Sequence, residues 1–244
     1  MDYENEALVQ ANDLTEKQYQ DFLSEVQKIP SYRSMISGKV ARLCYEFMED
    51  TGCRVTETIH VKKRDIDFRT RILTVTYPKT ETKCSCSIWK NRDEYSRVRI
   101  LESAKIDCNN CHGKGKWKKA QYTTITPRIV PKLLEYSNTL KNDELLFPIS
   151  RQSLWVWADK AGQNAGINIF QKKEERLIIG MFVHFFRALC SKRVKSDAKD
   201  DRFRDELVAC KLRHAYQVMA DRYTKIDINY LLSWETKTYS KNSL

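Results

Sequence analysis

The chain has 244 residues, enough for one large domain or two small ones, and a formal net charge of +11. No apolar run approaches the roughly 20 residues needed to cross a bilayer, and the acidic, polar start lacks the pattern of a secretion signal. These features argue against a membrane partner and favour a reducing intracellular location. A basic balance suits a polyanionic partner such as nucleic acid, although a merely basic surface would give the same charge.

The N-terminal part is predicted to be helical. After a loose leader over residues 1–13, Thr15 can cap a helix that ends at Pro30. The apolar residues of this helix are Phe22, Leu23 and Val26. A second helix is predicted over residues 37–50, because apolar residues recur at the spacing i, i+3, i+4 and i+7, namely at Val40, Leu43, Cys44 and Phe47. Gly52 follows where a helix commonly ends on glycine.

A small sheet is predicted in the middle of the chain. A short helix carrying Arg54 and Glu57 precedes residues 71–77, which are rich in β-branched residues and alternate in polarity. Residues 121–126 have the same character and are the expected partner strand. The intervening segment is far too long for a hairpin loop, so we interpret it as a small insertion over residues 80–120.

The C-terminal half is predicted to be helical, and it ends in an apolar stretch over residues 228–234. The predicted helices cover residues 131–140, 153–163, 184–194, 205–212 and 216–223. Only seven glycines occur in the chain, which fits a mainly helical domain. The predicted fold class is therefore α+β, mainly helical, with a small antiparallel sheet and a cysteine-rich insertion, in one domain over residues 14–240.

The eight cysteines fall into two groups. One group lies in apolar, helix-like surroundings and is expected to pack in the core: Cys44, Cys53, Cys190 and Cys210. The other forms a C-x-C and a C-x-x-C pair inside the insertion: Cys84, Cys86, Cys108 and Cys111. In an intracellular chain, this second pattern favours one tetrahedral structural Zn²⁺ over disulfides.

The zinc prediction leaves alternatives open. His112 is a substitute ligand, and the cysteines could also be free thiols, or a disulfide in a protein made outside the cell. The insertion is basic and poor in apolar residues, so a metal would supply folding free energy that the insertion otherwise lacks. Lysines at 114, 116, 118 and 119 would place such a site near a polyanion.

Three short segments carry the chemically informative residues. They are Thr51-Gly52-Cys53-Arg54-Val55-Thr56-Glu57, then His184-Phe185-Phe186-Arg187, and finally Leu212-Arg213-His214 with Tyr223 nine residues after the histidine. Arginine holds phosphate oxygens with its planar fork, histidine moves protons, and a tyrosine hydroxyl can attack a phosphodiester. His184 and Arg187, three apart, can share a helix face.

Each of these residues has an ordinary alternative role. A lone histidine is commonly a hydrogen-bonded structural residue, and either arginine could be a surface ion-pair partner. The ordered combination of all three segments is what favours phosphoryl transfer.

In this combination the chain resembles the tyrosine recombinase (phage integrase) family. The family's T-G-x-R-x-x-E, H-x-x-R and L-G-H segments, followed by a tyrosine nine residues later, are matched by the three segments above. The resemblance covers roughly residues 14–223, the catalytic domain, and implies catalytic roles for five residues: Arg54, His184, Arg187, His214 and Tyr223. An N-terminal DNA-clamping domain of the family is expected to be absent here.

The chain departs from the family pattern at three positions. Cys53 replaces an apolar residue, and Ala188 stands where a polar residue often follows the second arginine. Arg213 replaces the glycine of L-G-H, a residue that suits a left-handed backbone turn, so the geometry near His214 is in question. Arg213 could also place another cation beside DNA.

The family also uses a lysine in a β-hairpin turn as general acid to the leaving 5′-oxygen. Lys79, just after the first predicted strand, is our choice, and Lys114 and Lys116 compete with it. All three lysines could instead bind phosphate or be merely solvated.

The resemblance implies a site-specific DNA recombinase or integrase of a mobile genetic element, acting through a covalent 3′-phosphotyrosine link. Such an enzyme needs no cofactor for catalysis. The expected partners are double-stranded DNA and copies of the chain in a homo-tetramer on DNA, with a monomer possible in solution, in a cytoplasmic, DNA-associated location. The alternatives are a type IB topoisomerase, which shares much of this chemistry, and a non-catalytic zinc-containing DNA-binding protein. The apolar tail could exchange between protomers, which the resemblance favours, or fold back on its own chain.

Overall fold

The computed structural model describes the backbone of most of the chain. The described residues are 14–29, 36–78, 82–83, 116–117, 120–167, 172–173, 176–177, 179–213 and 227–239. Side chains are described within these ranges except at 82–83, 116–117, 172–173, 176–177 and 179–184.

Two amphipathic helices open the described fold, α1 (Glu16–Lys28) and α2 (Gly38–Thr51). The hydroxyl of Thr15 accepts from the backbone N–H of Gln18, whose side chain accepts from the N–H of Thr15 in return, which confirms the predicted cap. The hydroxyl of Ser37 caps α2 by accepting from the backbone N–H of Val40. Gly52 ends α2 in the left-handed conformation, with φ of 63°. The sequence therefore predicted both helices and their ends.

A three-stranded antiparallel sheet follows a short helix, α3 (Val55–Thr58), and a 3₁₀ turn (Lys63–Asp65). Its strands, in the order β1-β2-β5, are β1 (Ile66–Asp67), β2 (Ile72–Val75) and β5 (Gln121–Thr124). Leu73 of β2 lies opposite Thr123 of β5, so the predicted pairing across the insertion is confirmed. Two shorter pairs are formed by β3 (Thr82–Lys83) with β4 (Lys116–Trp117), and by β6 (Lys172–Lys173) with β7 (Arg176–Leu177).

The remaining described elements are helices: α4 (Val130–Ser137), α5 (Arg151–Asn164), α6 (Ile179–Asp197), α7 (Arg204–Leu212) and α8 (Ile228–Tyr239). Within the described residues, no helix is both long enough and apolar enough to cross a membrane. The described architecture is thus α+β and mainly helical, as the sequence predicted.

The main core lies between α1, α2, α5 and α6. Its centre is a group of aromatic rings in which Tyr45 lies 5.5 Å from Phe22 and 5.0 Å from Phe186 between centroids. Phe185 is buried as well. The two phenylalanines between His184 and Arg187 therefore anchor α6 in the core, and this fixes the position of Arg187.

A second apolar cluster joins α6, α7 and α8. Cys190, Leu207, Leu212 and Leu231 are members of this cluster. The apolar tail thus forms a helix that packs on its own chain, the second of the two arrangements considered from the sequence. Cys44, Cys53 and Cys190 are buried as predicted, and Cys210 is partly buried. Burial raises the pKa of the thiols of Cys44 and Cys190, so both are poor nucleophiles.

Candidate active site

The described parts of the three sequence segments meet around the turn at Gly52. The backbone carbonyl of Gly52 accepts a 2.7 Å hydrogen bond from the guanidinium of Arg187, which lies 135 residues away. Arg187 also donates to the carbonyl of Leu212, at the end of α7. One arginine therefore ties the second segment to both of the others.

Gly52 is required at this turn for two reasons. Its φ is positive, a conformation that side chains rarely adopt. A Cβ added there would also lie 2.5 Å from a methyl of Leu212 and 3.3 Å from the sulfur of Cys190. The absence of a side chain at Gly52 lets α6 and α7 approach the end of α2.

Glu57 holds Arg54 at the start of α3. One carboxylate oxygen accepts from the backbone N–H of Arg54 at 2.9 Å, and the other accepts from its guanidinium at 3.0 Å. The side chain of Glu57 is 1% exposed, whereas that of Arg54 is 18% exposed. Arg54 can therefore meet a ligand from outside while a buried carboxylate fixes its orientation.

A third arginine completes the site. Arg213 donates to the same carboxylate of Glu57 at 2.7 Å and to the carbonyls of Thr51 and Gly52 at 3.3 and 3.4 Å. The sequence suggested only that Arg213 might add a cation beside DNA, and it assigned no role to Glu57 beyond the motif. Thr123 of β5 supports the end of α7 by donating to the carbonyl of Lys211 at 2.9 Å.

The site holds three guanidinium groups and one carboxylate. Burial lowers the pKa of Arg187 to about 10, and the neighbouring charges of Arg54 and Arg213 act in the same direction, against the opposing effect of Glu57. Burial raises the pKa of Glu57, but Arg213, Arg54 and Arg187 outweigh it, so the pKa lies below its ordinary value of 4.5. Arg187 and Glu57 are therefore both charged at pH 7, and three guanidinium groups around one carboxylate give the site an excess of positive charge.

Several donors in the site are not used within the described part of the chain. The Nε of Arg54 and the Nε of Arg213 are buried and have no hydrogen-bond partner there. Arg187 has five N–H donors, and contacts to Gly52 and Leu212 account for two of them. Unpaired buried donors are costly, and an oxyanion with several acceptor oxygens would satisfy those of Arg54 and Arg187.

For the other predicted catalytic residues, the structure describes the backbone of one and nothing of the rest. The backbone of His184 belongs to α6, three residues before Arg187, but its side chain lies outside the described part. Lys79, His214 and Tyr223 lie outside the described residues. So do all four cysteines of the insertion, Cys84, Cys86, Cys108 and Cys111. Among the described residues, no group of three or more His, Cys, Asp and Glu side chains could hold a metal ion.

Comparison with models of known protein families found no match, and comparison with curated protein sequences found none either.

Proposed function

We propose that this chain is the catalytic domain of a tyrosine recombinase, with that family's fold, which cleaves and rejoins DNA strands through a covalent 3′-phosphotyrosine intermediate. One observation supports the proposal. Arg187, far from Arg54 in the sequence, donates to the carbonyl of Gly52, two residues before Arg54, and to the carbonyl of Leu212, at the end of α7 that leads to His214. The charge of Arg54 also acts on Arg187, and two neighbouring arginines suit a phosphate with two non-bridging oxygens.

The proposed chemistry follows from the charge that develops on the phosphate. Phosphoryl transfer spreads negative charge over the equatorial oxygens, so fixed cations stabilise the transition state. The hydroxyl oxygen of Tyr223 attacks the phosphorus, and the bond from phosphorus to the 5′-oxygen breaks. A proton goes to the 5′-oxygen from Lys79, while His184 and His214 serve the proton transfers at the tyrosine. Rejoining is the reverse attack by a 5′-hydroxyl, and it needs neither ATP nor Mg²⁺.

The proposed partner is double-stranded DNA, bound by a homo-tetramer at a cytoplasmic or other intracellular location. The net charge of +11 supports a polyanionic partner. A structural Zn²⁺ on Cys84, Cys86, Cys108 and Cys111 belongs to the same proposal. The pairing of β3 with β4 supports the zinc site indirectly. It brings the chain directly before Cys84 next to the chain shortly after Cys111.

The proposal is tested with a DNA duplex that carries a nick, so that a cleaved fragment diffuses away and the covalent product accumulates. We expect a protein–DNA adduct that survives SDS, and mass spectrometry that maps the adduct to Tyr223. Tyr223→Phe should abolish the adduct and leave DNA binding nearly unchanged. Tyr216→Phe is the matched control, because Tyr216 lies in the same segment without the nine-residue relation to His214.

The other outcomes separate the alternatives. DNA binding without any adduct would favour the non-catalytic DNA-binding protein. Relaxation of supercoiled plasmid without a specific site would favour the type IB topoisomerase. An adduct on another tyrosine would overturn the assignment of the nucleophile.

A further inference from the structure

Arg213 has an unusual backbone conformation for an arginine. It ends α7 with φ of 57° and ψ of 36°, in the left-handed region. Among the described residues other than glycine, only Arg71 shares a positive φ. A side chain raises the free energy of this conformation, so the contacts of the side chain must compensate for it.

The side chain of Arg213 contacts the parts of the site that hold the two clamp arginines. It pairs with Glu57, whose second oxygen orients Arg54. It also donates to the carbonyl of Gly52, which accepts from Arg187. Arg213 therefore shares one acceptor with each of the two arginines that are proposed to hold the phosphate.

Both terminal nitrogens of Arg213 are already engaged by acceptors of the chain itself. Its side chain is 4% exposed, compared with 18% for Arg54. Its terminal nitrogens donate to Thr51, Gly52 and Glu57. Any effect of Arg213 on a bound anion must therefore pass through the groups it fixes, together with its charge.

We infer that Arg213 is a positioning residue of the anion site: it fixes Glu57, and through Glu57 the fork of Arg54, while it fastens the end of α7 to the turn at Gly52. A glycine at position 213, as in the L-G-H segment that this chain resembles, would adopt the same left-handed turn but would lack the contact with Glu57. The identity of the anion, a phosphodiester, rests on the proposed function. The positioning role itself applies to any phosphate that Arg54 and Arg187 bind, whether or not it belongs to DNA.

Two variants separate the side chain from the turn. Arg213→Asn removes the guanidinium but keeps a residue that tolerates the left-handed region. Arg213→Lys keeps the charge but lacks the planar fork. Arg71→Asn is the matched control, because Arg71 also has a positive φ and its side chain bonds instead to Leu232 and Thr236 of α8.

Three quantities are measured for each variant. They are the binding of inorganic phosphate by calorimetry, the single-turnover rate of cleavage of the nicked duplex, and the affinity of the protein for that duplex. For Arg213→Asn we expect phosphate binding about tenfold weaker or more and slower cleavage at saturating DNA, with DNA affinity little changed. Arg213→Lys should recover part of both losses. Arg71→Asn should lower the melting temperature while binding phosphate as the original chain does.

The inference is overturned if Arg213→Asn melts at a lower temperature but binds phosphate and cleaves DNA normally, because Arg213 would then have a structural role only. The inference is also overturned if the protein without substitutions binds no phosphate. If Arg213→Asn does not fold, Glu57→Gln decides: weakened phosphate binding supports the inference, and unchanged binding overturns it. Phosphate binding that depends on Arg213, without any covalent DNA adduct, would reject the proposed recombinase and leave the positioning role intact.

Discussion

At the level of single residues, Arg54 and Arg187 differ in how much of the structure depends on them. Arg54 is partly exposed and is held by one carboxylate, whereas Arg187 is buried and bridges Gly52 and Leu212. Replacing Arg187 therefore removes the guanidinium donor of the Leu212 carbonyl and leaves the carbonyl of Gly52 with only the longer bond from Arg213, in addition to removing a cation from the site. The same substitution at Arg54 affects mainly the ligand.

We predict that Arg54→Ala and Arg187→Ala each slow DNA cleavage by about 10²–10³, since one electrostatic contact to a transition state is commonly worth that factor. Lysine should not restore either rate, because it lacks the planar fork. Only Arg187→Ala should also lower the melting temperature markedly. Single-turnover cleavage and thermal melting are the measurements, and Arg64→Ala is the control, since Arg64 pairs with Asp143 on the surface. Cleavage at the normal rate in either variant would contradict the clamp.

Glu57 gives the site a predictable response to acid. Its pKa is below the ordinary value of 4.5 in the folded chain, so its charged form stabilises the fold above about pH 4.5. That stabilisation is lost as the pH falls below 4.5 through the folded-state pKa. We expect Glu57→Gln to reduce the free energy of unfolding at pH 7 by about 1.5–3 kcal/mol, as for hydrogen bonds to charged groups. Urea unfolding at successive pH values should show this difference shrinking below pH 4.5, and a constant difference would contradict it.

At the level of elements, α8 is fastened to the site region by a buried ion pair. The ammonium of Lys211 lies 2.7 Å from Glu235 of α8 and also donates to Thr124 of β5 at 2.9 Å. Neither charged side chain is more than 1% exposed. Lys211 is two residues before Arg213, so its ion pair with Glu235 holds the end of α7 against α8.

We predict that Glu235→Ala costs about 3–5 kcal/mol of unfolding free energy, because it leaves the buried ammonium of Lys211 without its ion-pair partner. The double substitution Lys211→Met with Glu235→Leu should cost much less, since it removes both charges at similar volume. Lys28→Ala is the control for an exposed pair and should change little, because Lys28 meets Glu25 at the surface. Chemical denaturation measures all three, and a double variant as unstable as Glu235→Ala would contradict this account.

The insertion is predicted to carry one zinc ion per chain. Metal analysis of protein purified without added metal should give one equivalent, and replacing Cys108 and Cys111 by serine should remove it. The helical core should still melt cooperatively in that variant, because its buried residues lie in other elements. Cys210→Ser is the matched control and should keep the metal. Zinc near zero with reduced thiols in the original chain would reject the site.

The local parts of the fold were predictable because their signals are local. The caps at Thr15 and Ser37, the glycine at 52 and the alternating strands each occupy a few adjacent residues. The first five residues of α6 were not assigned, since an apolar run does not by itself distinguish helix from strand. Partners such as Arg213 with Glu57 were also missed, because the sequence does not show which distant charges share a buried space.

At the level of the whole molecule, the chain is expected to be a monomer in solution and to assemble as a tetramer on DNA. The DNA-free part of this prediction is supported by α8, which packs on its own chain through Leu231 and Glu235. Deletion of the residues after Lys225 should lower the melting temperature strongly and leave the sedimentation of the DNA-free chain unchanged. Analytical ultracentrifugation with and without DNA is the measurement. A change from oligomer to monomer on deletion would show that the tail joins separate chains.

The bond from Arg187 to Gly52 also constrains when the arginine cluster can form during synthesis. It spans 135 residues, and closing so long a loop is entropically unfavourable until the helices between its ends have packed. A nascent chain that ends before α6 carries Arg54 and Glu57 but neither of the other two arginines. Such an unfinished chain lacks the arginine cluster that the proposed function assigns to the phosphate. Under that proposal, a chain that ends before α6 cannot cleave DNA, whatever its affinity for DNA.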